Sequence, residues 1–321
     1  MSVMELVAVG PDLYACLQPD TGWGASNSGL VDRGGGLVVD TFWDLPRTRS
    51  LMSCYAEVTP DPVNRLVNTH NNGDHCWGNQ LFAEQGTEII GHRLCAEGFT
   101  NEVQPELLAA FSTMDPADVP PQWKSFAAAM KDFDFEGIVL TPPTTVLDGD
   151  TTLDLDGLRV DLLYVGPAHT AGDVVVHVPE HGIVFTGDVL FHQCTPLGWD
   201  GTFAQWDAAL QRLVDLEPQT VVPGHGPLAT VDGLKDMQAY LRYVRAETVE
   251  GHAQGLSPLE TARRIDLGAY REWTEPARLA FQVHRAYREL DGGSWDTALD
   301  LNAVFTDLET LNEEYAEAAS A

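Results

Sequence analysis

Basic residues are scarce: 18 Lys and Arg stand against 48 Asp and Glu, a formal charge of -30 over 321 residues. Such a charge repels phosphate backbones and anionic lipid, which argues against nucleic acid and membrane surfaces as partners. Long apolar runs are missing too. No segment approaches the roughly 20 residues that cross a bilayer, and the first residues lack the basic-then-apolar pattern of an export signal. A cytoplasmic location and a small-molecule substrate are expected. Cysteine is sparse and unpatterned: Cys16, Cys54, Cys76, Cys95 and Cys194 are odd in number and nowhere spaced CxxC. That argues against a disulfide framework and a cysteine-built zinc site. No internal repeat or low-complexity tract stands out.

What is present is a globular chain, 44% hydrophobic, with regular Gly and Pro punctuation. LVAVGPDLYAC and SNSGLVDRGGGLVVDT alternate apolar runs with turn residues, as antiparallel strands do. A helix is predicted from Leu45 to Tyr55, a strand at RLV before His70, and another at TEIIGH. From about Cys95 to Leu140 the pattern is helical and reads as an insertion. Strands resume at Thr144, with hairpin signals at Asp156-Gly157 and between Pro179 and Gly182. Helices are expected over about 231–252, 258–290 and 295–318. Two β-rich halves covered by helices predict an α+β fold, a four-layer αββα sandwich. Residues 1–230 would form its core, including the insertion at about 95–142, and 231–321 a C-terminal helical extension packed on it.

The most informative stretch is Asn68-Thr69-His70-Asn71-Asn72-Gly73-Asp74-His75, directly after a strand. Two imidazoles and a carboxylate within six residues can aim nitrogen and oxygen donors into one small volume, and zinc takes such ligands at about 2.0–2.2 Å. Three further donors follow strands in the same way: His169 after VDLLYV, Asp188 after GIVF and His225 after TVV. A site along one sheet edge requires that recurrence, because several strands must deliver ligands to a common rim.

The ordered set HNNGDH, a later His, GD and GHG, with the leading SNSGLV and LVVDT, resembles the metallo-β-lactamase superfamily over about residues 5–230. The resemblance implies one pocket from His70, position 72 and His169, a second from Asp74, His75 and His225, and Asp188 bridging them. Position 72 is Asn72, an amide where the pattern has an imidazole, so the first pocket should hold metal more weakly. Asp40 resembles the carboxylate that accepts a ring N–H from a metal-bound imidazole. The implied cofactor is zinc, one or two ions, with manganese or iron as alternatives.

Such a metal lowers the pKa of bound water towards about 7 and polarises a carbonyl. Hydrolysis of an ester, thioester or lactone follows, with Asp74 managing the proton, Asp188 holding the metal, and Asn72 either binding it or donating to the nucleophile or substrate. Aromatics near the motifs (Trp23, Phe42, Trp43, Trp77, Phe191, Trp199) and the Phe- and Met-rich insertion suggest a large apolar pocket under a lid. Trp43, Trp77 and His192 are the candidate substrate contacts, with Cys194 behind them; the other histidines read as surface or packing residues. The tail and THNNGDHCWGN resemble lactamase-type cyclase/thioesterases of bacterial aromatic polyketide pathways. A metal-assisted polyketide cyclase and a non-catalytic ligand-binding descendant are the competing readings. The terminal helices could pair subunits, so a homodimer is expected.

Overall fold

The computed structural model describes residues 4–19, 22–100 and 103–320. Seven strands form the first sheet in sequence order: β1 (Glu5–Gly10), β2 (Leu13–Leu17), β3 (Ser28–Val31), β4 (Leu37–Val39), β5 (Arg65–Val67), β6 (Glu88–His92) and β7 (Thr145–Leu147). The tight turns leave β1 to β4 antiparallel, whereas β4 to β7 are parallel. The second sheet runs β12-β11-β10-β9-β8, from β8 (Thr151–Leu155), β9 (Leu158–Tyr164), β10 (Val174–Val178), β11 (Ile183–Phe185) and β12 (Thr220–Val222). At the β8–β9 hairpin, Asp156 and Gly157 both take positive φ, the backbone a two-residue turn of matching twist needs.

Period-two alternation sorts the layers. Leu13, Ala15, Leu37 and Val39 point between the sheets and meet Leu162, Val174 and Val176. Their neighbours Cys16 and Val38 point outward, to Leu51 and Tyr55, on α1 (Leu45–Tyr55). Asp44 caps that helix by accepting from the Arg47 amide, and Pro46 sits in its first turn. On the far side, α7 (Phe203–Val214), α8 (Val231–Ala253) and α10 (Leu279–Leu290) cover the second sheet, joining Val175, Val184 and Val221 in one core with Trp206, Met237 and Phe281. The result is the αββα sandwich.

Two helical expectations need correction. The inserted segment gives α4 (Arg93–Gly98), α5 (Pro105–Thr113), a short 3-10 turn and α6 (Lys124–Met130), but the chain is irregular from there to β7. Turn residues stop the helix: the Asp134 carboxylate accepts the Glu136 amide, and Gly137 takes a φ of 74°. The predicted helix over 258–290 is likewise broken. It gives α9 (Pro258–Arg264), two 3-10 turns and then α10, with Gly268 at positive φ and Pro276 between. The last helix, α11, spans Leu301–Ser320. Among the described residues no helix is long and apolar enough to cross a membrane.

Candidate metal centre

The predicted donors meet at one rim of the sandwich. His70 follows β5, His169 follows β9, Asp188 follows β11 and His225 follows β12, while Asp74 and His75 sit in the single-turn helix α2 (Gly73–Cys76). The donor atoms of His70, His169 and Asp188 lie within 4.8 Å of one another, as do those of Asp74, His75 and His225. Asp188 joins the two groups: its Oδ2 is 3.4 Å from His169 Nε2 and 3.3 Å from His225 Nε2, and its Oδ1 is 3.0 Å from His75 Nε2. Gly187 makes that approach feasible. Its φ is +49°, and a Cβ there would stand 2.3 Å from Thr69 Oγ1.

Every imidazole is tied at Nδ1, leaving Nε2 for the shared space. His169 and His225 donate to the carbonyls of Leu197 (2.9 Å) and Ala25 (3.2 Å), and a carbonyl can only accept. His75 Nδ1 lies 3.0 Å from Asp40 Oδ2, and His70 Nδ1 lies 3.0 Å from Thr69 Oγ1, whose hydroxyl donates to Asp40. Asp40 thus orients two rings, from a buried position at the end of β4 with φ of +63°. Nε2 of His75 and His225 face each other at 3.4 Å, and the buried His70 Nε2 has no hydrogen-bond partner. Four ring nitrogens and two carboxylates converging around one orphaned buried nitrogen fit a divalent cation with nitrogen and oxygen ligands, and zinc suits that donor set.

Charge divides the cage unevenly. Burial pushes His70 well below its ordinary value and His169 down to about 4. Against the same burial, Asp188 and Asp74 hold His75 well above its ordinary value and lift His225 to about 9. The histidines in turn keep Asp188 far below the usual carboxylate range, and His75 and His225 lower Asp74, both against burial. The pocket of His70 and His169 is therefore built from neutral rings, the other from ion pairs.

Asn72 closes the neutral pocket. Its Oδ1 accepts from the Trp199 indole N–H at 2.9 Å and stands 2.7 Å from His169 Nε2. An indole can only donate, so the amide oxygen is the atom turned inward. With Nδ1 of His169 already donating, oxygen and nitrogen lone pairs face each other, the arrangement of two ligands awaiting one cation. The Trp199 loop also holds His169 through the Trp199 amide, and α10 clamps the loop: Arg288 donates to the Trp199 carbonyl and Arg285 to those of Asp200 and Gly201. Trp199→Phe removes the donor that fixes the amide. The expected outcome is a loss of roughly tenfold or more in cation affinity at this pocket alone, read by cobalt titration with absorption spectra.

The cage opens into a cavity of about 740 Å³. Trp43 and Trp77, both predicted, line it with ring centroids 6.3 Å apart. Gly73 permits this packing, since a Cβ there would lie 2.4 Å from the Trp77 ring. The insertion and the tail meet beside the cavity: Trp123 packs on Phe305 at 4.1 Å, and Phe126 on the same ring at 5.5 Å. His192 is a correction. It lies on a second cavity of about 300 Å³, its Nδ1 donating to the Pro227 carbonyl, because the chain leaves β11 on that side, with Gln193 at positive φ. Phe42 is buried under α1 instead of lining the cavity, and Cys194 is buried against Arg278. The tail's contributors, Phe305, Trp295 and Arg278, were not foreseen; helical periodicity marks an apolar face without naming what it meets.

Two opposed sheets with a His/Asp cage at their common rim define a metal-binding αββα sandwich. Residues 21–225 match the model of the metallo-beta-lactamase superfamily, and the chain belongs to that superfamily. It is 24% identical over 260 residues to a linear primary-alkylsulfatase of a Pseudomonas species, covering 72% of this chain and 48% of the relative. It is 26% identical over 166 residues to a hydroxyacylglutathione hydrolase of a Synechococcus species, covering 50% and 49%. The chain thus spans about half the length of these curated relatives. A metallo-beta-lactamase from Pontibacter korlensis superimposes with a TM-score of 0.55 at 20% identity, over 74% of this chain and 98% of that one, which shows the shared fold.

Proposed function

We propose that the chain is a zinc-dependent hydrolase acting on an ester, thioester or lactone of a bulky aromatic, polyketide-like acyl compound. The observation that carries this reading is the union of the donor cage with a roomy aromatic cavity that ends on it. A divalent cation held there supplies Lewis acidity towards a carbonyl and acidifies water. Both curated relatives bear names of bond-cleaving enzymes, one of them a hydrolase of an acylglutathione.

The chain's own groups divide the remaining work. Asp74 is the most open of the donors, 14% exposed at its side chain against 4% or less for Asp188 and His225. It lines the cavity and stays ionised at neutral pH, so it is the group placed to take a proton from attacking water. Asp188 sits deeper and keeps the two halves of the cage together. The Trp77 indole N–H is buried at the cavity wall without an acceptor, a placement suited to a substrate oxygen.

Thiol release from aryl thioesters and acid release from aryl lactones test the reading. Turnover that chelation abolishes and zinc restores is expected, and a metal-loaded chain inert towards every such substrate contradicts it. Asn72 favours a second reading, a cyclase with a single strongly held ion; consumption of a polyketide thioester without thiol or acid release would point there. Asn72→His should raise bound metal from about one towards two ions per chain. Two tightly held zincs in the wild type would remove the asymmetry.

A further inference from the structure

We propose that Arg278 anchors a carboxylate on an otherwise aromatic or apolar ligand of the large cavity. Arg278 ends a 3-10 turn, Pro276–Arg278, at the start of α10. It is 1% exposed, yet it lines the cavity and is the only Arg or Lys among the described lining residues. Its Nη1 meets Cys194 Sγ at 3.4 Å, a weak acceptor, and its guanidinium carbon lies 4.5 Å above the Trp23 ring. Nε is buried with no acceptor. Among the described residues no carboxylate pairs with it, in a chain that carries 48 acidic side chains.

A buried guanidinium without an anion is strongly destabilising, so a missing partner calls for an explanation. Its neighbours Arg285 and Arg288 also leave Nε unpaired and have no carboxylate in ion-pair range among the described residues, but their Nη groups are satisfied by backbone carbonyls of the 199–201 loop. Arg278 has no such set. An anionic ligand group supplies what the chain withholds, in the paired geometry guanidinium favours. The surroundings describe the rest of the ligand. Trp23, against which Arg278 packs, stacks on Phe305 at 5.8 Å and meets Phe126 edge-on, so the body beside the carboxylate is flat and apolar. With a net charge of -30 the molecule repels anions at long range, and a local cation offsets that repulsion.

This inference rests on the cavity being the substrate site, and it narrows the substrate to an acyl compound bearing a free carboxylate remote from the reacting carbonyl. The test uses the metal-loaded full chain with 4-phenylbutyrate and its neutral amide, titrated calorimetrically. Any carboxylate contact with the metal is common to wild type and variant, so their difference reads Arg278. The wild type should bind the acid about tenfold tighter than does Arg278→Met, with amide binding unchanged and Arg278→Lys in between. Equal acid binding by wild type and Arg278→Met overturns the proposal. A crystal of the wild type with the acid decides independently of any variant: carboxylate at the guanidinium supports it, and carboxylate on the cage alone overturns it. Turnover of neutral aryl thioesters stands apart from both readouts, so the hydrolase reading and this one can fail separately.

Discussion

Asp188→Ala should strip the chain of tightly bound metal and lower turnover roughly a thousandfold. Among the described residues Asp188 is the one carboxylate within reach of His75, His169 and His225 together, at 3.0, 3.4 and 3.3 Å. Without it the first pocket is left with two neutral rings and an amide, and the second loses half its negative charge. Metal content by mass spectrometry and thioester turnover, measured on the same preparation, check this. Metal near the wild-type level with activity within a few fold would show that Asp188 is not the bridge. The melting temperature of the metal-free forms separates loss of ligand from loss of fold: His75 and His225 can shed their protons when their counter-charge goes, so the metal-free variant should still fold.

The second large effect is a pH dependence that differs between the pockets. In the metal-free chain His225, lifted to about 9, and His75, held well above its ordinary value, carry protons at neutral pH. A cation needs the bare Nε2, so it must displace them. Affinity there should rise by about one log unit per pH unit for each proton displaced, flattening above about 9 for His225. His169, pushed down to about 4, and His70 are already neutral, so filling their pocket releases no imidazole proton above about pH 5. Calorimetry in buffers of different ionisation enthalpy counts the protons. Roughly two at pH 7 marks binding at Asp74, His75 and His225; none marks binding at His70, Asn72 and His169. The sign for stability is opposite. A raised histidine pKa stabilises the metal-free fold fully below the ordinary value of 6.5, and the contribution is lost as pH rises through about 9. Heating scans of metal-free and metal-loaded chain across that window should converge at low pH and separate at high pH.

How much of this was legible beforehand follows from where each signal resides. His70, His169, Asp188 and His225 each close a short apolar strand, so their positions are encoded within a few residues and readable one at a time. Asp40 was legible for the same reason. Asn72 could be seen to replace an imidazole, but which amide atom turns inward depends on Trp199, 127 residues away. His192 and Trp199 both follow Asp188 closely, yet they face different cavities, because the sequence does not show which way the chain leaves β11. Phe305 and Arg278 lie far beyond the motifs, on a tail whose pattern gives helices without their docking. The helical pattern runs past the end of α6 because Phe133 fits the stripe, while the Asp134 turn that overrides it is a local competition.

The most direct test is anomalous scattering at the zinc edge from a crystal of the metal-loaded chain. A peak is expected within coordination distance of Asp74, His75, His225 and Asp188, with any second peak weaker and lying between His70, Asn72 and His169. No peak at the cage, or a single peak elsewhere on the chain, would contradict it.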